Sequence, residues 1–226
     1  MNKKKVAILM LSLCVVAAIA VTGTIAYFTD TDSETNVFTV GKVDIELLES
    51  TLHREVDNAT DDQIIADAGE DNANYLEYLK EAGKDMAPGI WVRKAPYIKN
   101  IGINNAYVRL RVRFADAYWN LIDVMQTTTA IDDGSVVWNN GVHNDEEKYT
   151  EYTITYTKAL KANDMTYWPA FWQFKLQDQL DNKDVAHLRD ENGAIELKIE
   201  VFADAIQADG FDTAAEAFIA YDAQVK

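Results

Sequence analysis

Among 226 residues there is one cysteine, Cys14, and it lies inside an apolar run near the N-terminus. If that run is removed the chain has no thiol, which excludes disulfides, thiolate catalysis and cysteine–zinc sites. Lipid attachment at Cys14 wants a small residue before it, and Leu13 stands there. Histidine is nearly as scarce. His53, His143 and His187 stand far apart in no ligand spacing, and His-Glu-x-x-His does not occur. The helical scaffold that holds zinc while a glutamate activates its water is therefore missing. Such chemistry would need a site assembled from dispersed His, Asp and Glu. There is no Gly-Lys-Ser/Thr phosphate loop and no Gly-x-Ser-x-Gly elbow. Asp30, Asp32 and Glu34 alternate like the start of an EF-hand loop, but its glycine and distal glutamate are absent. The expectation is a protein without catalytic residues, resident metal or cofactor. Asp57, Asp61, Asp62 and Asp67 offer at most weak calcium binding.

Positive charge is also short. Lys+Arg number 21 against 37 Asp+Glu, a formal net charge of −16. Such a field repels phosphate backbones, so no nucleic-acid partner is expected. At 48% hydrophobic residues the chain can nonetheless bury a sizeable core.

The missing charge of residues 6–21 is itself a signal. Lys3, Lys4 and Lys5 precede an uncharged run from Val6 to Val21, long for a secretory leader but short for a bilayer span. Thr24-Ile25-Ala26 follows with small residues around a bulky one. This predicts a signal peptide over residues 1–26, cleaved between Ala26 and Tyr27. The alternative is an uncleaved membrane anchor.

Strand patterning dominates the rest, read as one domain over residues 27–226. Gly41 to Leu47 alternates apolar and polar. In Tyr107 to Phe114, Val108, Leu110, Val112 and Phe114 share one face, and Arg109, Arg111 and Arg113 share the other with Tyr107. A single-sign row repels itself unless acids face it. Ile195, Leu197, Ile199 and Val201 predict a partner strand that turns Glu196 and Glu200 outward. A phosphate- or polymer-binding stripe is the other reading of the arginines.

"VVWNNGVHNDEEKYTEYTITYTKAL" reads as strand, Asn-Asn-Gly turn, acidic loop and strand. Met86-Ala87-Pro88-Gly89 predicts a turn. Residues 57–85 read as an acidic helical insertion, with Tyr75, Leu76 and Leu79 at helical spacing and an end near Gly83. Tyr118, Leu121, Ile122 and Met125 also fall at helical spacing. Thr213 with Glu216 three residues on predicts a capped C-terminal helix over residues 211–224. Tyr167, Trp168, Phe171, Trp172 and Phe174 read as core or sandwich edge rather than a ligand platform.

Behind the lysines and the apolar run, "GTIAYFTDTDSETNVFTVGKVDIEL" resembles the signal-proximal region of the TasA/camelysin family. Gly23, Thr24, Ala26, Phe28, Asp30, Phe38, Gly41, Asp44 and Ile45 stand in the places of that pattern. "YIKNIGINNAYVRLRV", "YTKALKANDMTYWPAFWQFKLQDQLDN" and "AIQADGFDTAAEAF" are similar to later family segments. The likeness spans most of the chain beyond the leader, except the acidic insertion and the loop around His143.

The resemblance implies a mainly β fold, an antiparallel jelly-roll-like β-sandwich with helical insertions behind an N-terminal signal helix. It further implies export through a SipW-type signal peptidase from a Gram-positive cell. The destination is the extracellular matrix or the cell surface, and the membrane is touched only through the leader. Family subunits build biofilm-matrix fibres when the front segment of one completes the sheet of the next. Some family members carry the label metallopeptidase.

Residues 27–40 suit the donor role. Phe28, Phe38 and Val40 share one parity, with Asp30, Asp32, Glu34 and Asn36 between them, so Tyr27 and its followers read as a strand weakly held by its own sandwich. Backbone pairing in a neighbour gives affinity, and a head-to-tail contact leads to filaments. The expected partners are copies of the chain or related fibre subunits. The competing readings are an ordinary first strand, a monomeric surface-binding or adhesive module and, behind these, a secreted metallopeptidase.

Overall fold

The computed structural model describes residues 29–33, 36–39, 43–68, 78, 82, 86–181, 183–189, 191, 193, 197 and 199–225, the first two stretches by backbone alone. The leader, the cleavage pair Ala26 and Tyr27, and Phe28 and Val40 lie outside the described residues. The expected architecture holds: the fold is mainly β, built of antiparallel sheets with few helices.

Its spine is the strand that alternates most clearly. In β6 (Ala106–Ala115) Val108, Leu110, Val112 and Phe114 are at most 3% exposed and belong to the main core. β6 lies between β12 (Ile199–Gln207) and β10 (Tyr149–Tyr156). Beyond β10 come β8 (Val136–Trp138) and β9 (Val142–Asn144), and beyond β12 come β1 (Thr29–Ser33) and then β2 (Asn36–Thr39). Facing this sheet across the core is a smaller one, ordered β4 (Val92–Arg93), β11 (Phe171–Leu176), β7 (Ile122–Gln126). Phe171, Phe174 and Leu176 of β11 meet the β6 residues there. A hairpin-like pair, β3 (Ile45–Ser50) with β5 (Ala95–Asn100), turns Ile45 and Ile98 into that core. Its Leu48, Ala95 and Tyr97 form a second cluster with Ile64 and Ala68.

That second cluster revises the insertion. Helix begins before residue 57, at α1 (Arg54–Asp57), and resumes in α2 (Asp61–Ala68) after Asn58 takes a left-handed φ of 55°. Ile64 is fully buried, so α2 roofs the β3–β5 pair rather than standing off in solvent. Tyr75, Leu76, Leu79 and Gly83 fall outside the described residues. Tyr78 packs on the main core, and its Oη accepts from the Arg93 N–H at 2.9 Å.

The helix expected around Tyr118 to Met125 is replaced by a 3₁₀ turn, Trp119–Leu121, and by β7. Helical spacing of four apolar residues is a local preference. Pairing of β7 with the aromatic strand β11 overrides it, and β-branched Ile122 and Val124 suit that ladder. A single helical turn, α3 (Thr128–Asp132), follows β7.

Other readings hold in part. The chain turns at Pro88-Gly89, where Gly89 has a φ of +85° that few side chains tolerate. The turn expected at Asn139-Asn140-Gly141 is not one. β8 and β9 on either side of it both pair antiparallel with β10, so the chain runs on along that edge and reverses at residues 145–148 instead. Gly141 serves close approach. A Cβ there would stand 2.6 Å from the Thr150 side chain and 2.8 Å from the Tyr152 ring. The closing helix α4 (Ala214–Gln224) starts at 214 rather than 211, with the expected cap: Thr213 Oγ1 accepts from the Glu216 N–H at 3.2 Å. Trp168, Phe171 and Phe174 are core, while Tyr167 is 54% exposed.

Candidate functional site

The face of interest is the outer side of β6 and β12 together with the edge that β12 serves. β12 alternates so that Val201, Ala203 and Ala205 enter the main core, while Ile206 joins the cluster under α4. Asp204 has the opposite parity to Ala203 and Ala205, and no part of it is exposed. It meets the arginine row there.

Asp204 Oδ2 accepts from Arg109 Nε at 2.9 Å and from Arg111 Nε at 2.8 Å, while its Oδ1 accepts from Arg111 Nη2 at 3.0 Å. Glu151 of β10 accepts from Arg113 Nε at 2.5 Å and from Arg111 Nη1 at 3.4 Å. Glu200 stands opposite Arg113 in the β12–β6 register. At the other end Asp222 of α4 takes Arg109 in a fork, Nη1 to Oδ2 at 3.1 Å and Nη2 to Oδ1 at 2.6 Å. Aromatic faces fill the gaps. Arg109 lies over Phe218 at 4.5 Å, and Arg113 lies over Tyr149 at 4.2 Å and over Phe202 at 4.7 Å.

Burial alone would lower the pKa of Arg109 and Arg111, but hydrogen bonds and charge from Asp222, Asp204 and Glu151 outweigh it and raise both. Arg109, Arg111 and Arg113 therefore form an internal ladder that ties three strands and a helix together. A stripe open to polyanions would need those guanidinium forks unpaired. Sequence reasoning found the row and the outward Glu200 but missed Asp204, Glu151 and Asp222. Extending the Glu200 parity by four residues reaches Asp204, the one acid in "VFADAI".

The edge beside this ladder receives the candidate donor segment. β1 pairs with β12 of the same chain in antiparallel register, Thr29 opposite Ile206 through Ser33 opposite Phe202. β2 folds back on β1, with Thr31 opposite Phe38. Asp30 and Asp32 lie on β1 and Phe38 on β2, known here by backbone position. This differs from a segment weakly held by its own sandwich. Both strands take part in the sheet, and β2 ends the strand order on that side.

The histidines do not converge. His53 is the N-cap of α1, its Nδ1 accepting from the N–H groups of Glu55 and Val56 at 3.2 and 3.3 Å. It sits between Trp168 and Trp172 at 6.0 and 5.6 Å, and burial lowers its pKa against the pull of Glu55 and Asp57. His143 Nδ1 is 3.3 Å from Thr150 Oγ1 and 3.4 Å from Asp116 Oδ1, with Nε2 3.2 Å from Asp145 Oδ1. His187 Nε2 is 3.1 Å from the Ala117 carbonyl oxygen. Among the described residues no three His, Cys, Asp or Glu side chains form a group able to hold a metal ion. Among them, too, no helix is long and apolar enough to cross a membrane. The acids Asp57, Asp61 and Asp67 are engaged by Arg93, by Arg54, and by Ser50 with Thr51.

A family model described as camelysin metallo-endopeptidase matches residues 1–76, the third of the chain that carries Gly23, Thr24, Ala26, Phe28 and Asp30. The match supports the TasA/camelysin family for this chain. No curated protein and no solved structure matches.

Proposed function

We propose that this member of the TasA/camelysin family is a secreted structural subunit of an extracellular fibre, assembled by exchange of the β1–β2 hairpin between copies. The observation that carries the reading is the five-residue register of β1 against β12, which opens three residues after the expected cleavage point. The hairpin leads into β3 through residues 40–44 alone. Pairing with β12 of a neighbour reproduces each ladder bond made within the chain, so exchange costs little beyond association. A hairpin passed head to tail leaves one free β12 edge and one free hairpin at the ends, and the contact propagates as a filament. An attached leader keeps the segment tethered until cleavage, which couples export to assembly. In this reading the protein is non-catalytic and needs no cofactor, its partners are its own kind or related subunits, and a SipW-type peptidase releases it to the cell surface or matrix.

The test uses the near absence of cysteine. Asp32 and Ala203 are register partners, and the only native cysteine is Cys14 of the leader. In the secreted form of the Asp32→Cys, Ala203→Cys variant, oxidation after assembly is expected to link subunits into a ladder on a denaturing gel, and oxidation before assembly to block filaments. Intramolecular links alone, with filaments unaffected, would overturn exchange. Deleting residues 27–36 is expected to abolish filaments seen by electron microscopy. The family description also favours a peptidase reading. Chelator-sensitive proteolysis by the same preparation would support that reading and count against a purely structural protein.

A further inference from the structure

A cleft of about 330 Å³ opens between the two sheets, where the β10–β8 end of the large sheet faces β7 of the small one. Its floor is aromatic. Tyr152 meets Phe114 edge-on at 5.9 Å and Trp138 at 6.3 Å, so three rings brace one another. Trp119, on the 3₁₀ turn before β7, also lines the cleft and is 41% exposed. β7 adds Asp123 and Gln126 to the lining.

Two features of this wall are unusual for a sandwich interior. Indole and phenol faces normally close on other side chains, because aromatic burial is among the larger contributions to a core. The Trp138 Nε1–H is also buried, and among the described residues it has no hydrogen-bond partner. The volume is at the lower end for small-molecule sites, which pair apolar walls with a few polar groups.

We propose that this cleft binds an uncharged sugar ring of a polysaccharide. A pyranose offers an apolar C–H face to an indole and hydroxyls around its rim. A hydroxyl donates, as a carboxylate at Asp123 requires, and can also accept. Gln126 can serve either role. The acidic field of the chain, with Asp123 in the wall, disfavours uronates and other anionic sugars. Trp119 supplies the outer stacking face. The site lies on the β7–β8 side of the molecule, across the large sheet from the exchanging hairpin, so sugar binding and assembly are separable.

The test is a tryptophan-fluorescence titration of the secreted protein with neutral oligosaccharides, cellotriose and N,N′,N″-triacetylchitotriose, with choline and trigalacturonate as contrasts. At least one neutral sugar is expected to bind saturably, and trigalacturonate is not. Trp119→Ala and Asp123→Asn are expected to weaken that binding by about tenfold or more while leaving the melting temperature and filament formation unchanged. Silence with both neutral sugars, or binding that both variants keep, overturns the proposal. Asp123-dependent binding of choline in place of sugar overturns it in favour of a cation cage.

Discussion

Asp204 and Arg109, 95 residues apart in sequence, meet at 2.9 Å on the covered face of the large sheet, with no part of the carboxylate exposed. The same carboxylate holds Arg111, so one acid bridges two of the three arginines of β6.

Replacing Asp204 by Asn removes that charge and leaves Arg109 and Arg111 buried among aromatic rings. Breaking a buried pair from one side costs about 3–5 kcal/mol. Chemical denaturation of Asp204→Asn should show a loss of that size. Asp222→Asn should lose about 1 kcal/mol or less, because the Asp222 side chain is 51% exposed and water screens the pair. Equal losses at the two sites would contradict the ladder as described.

Phe218 joins α4 to this ladder, packing against Tyr221 and beneath the Arg109 guanidinium. It is 5% exposed, so truncation opens a cavity in a small cluster. Phe218→Ala should destabilise by about 3–5 kcal/mol. Amide exchange should place the loosening in α4 and the β12 end near Ile206, with β11 and β7 unaffected.

His53 should make stability fall on mild acidification. Its folded pKa lies below 6.5 because burial disfavours the charged ring, and its Nδ1 must be unprotonated to cap α1. The unfolded state therefore binds more protons than the folded one as pH drops below 6.5, and the slope of unfolding free energy with pH is positive there. This contribution is fully present above 6.5 and is lost as pH falls through the folded value. Asp57 acts in a lower window. Burial would raise its pKa, but hydrogen bonds from Arg93 and the His53 N–H bring it below 3.8, so its share is lost only in stronger acid. His53→Asn keeps a capping side chain without titrating. Melting temperatures of that variant should fall less between pH 7 and pH 5 than those of the native protein, and parallel curves would refute the assignment.

Gly141 should resist any side chain. A Cβ would press on the Tyr152 ring, which Phe114 and Trp138 hold from the sides, so the ring cannot simply swing away. Gly141→Ala should destabilise by about 1–3 kcal/mol, the usual range for overpacking. It should also alter near-ultraviolet circular dichroism, since Tyr152 and Trp138 share the cleft wall.

Much of this molecule is legible in short windows. The alternation of β6 and the Thr213 cap depend on residues within a few positions of one another, where periodicity and capping are decided. The arginine row was also visible, and its self-repulsion foretold facing acids. Most of those acids were not identifiable. Asp222 reaches Arg109 only because α4 packs over β12, and Glu151 reaches Arg113 only through the β10–β6 register.

By itself, then, the sequence determined an acidic chain free of the usual catalytic motifs, built of amphipathic strands, with a row of arginines that had to be answered. Tertiary structure alone decided that residues 122–126 extend as a strand, that the β1–β2 hairpin lies on β12, and that aromatic rings from β6, β8 and β10 border one cleft. The division follows range. Local conformational preferences are worth a few tenths of a kcal/mol per residue, whereas ladder pairing and burial between distant segments sum to far more and choose among them.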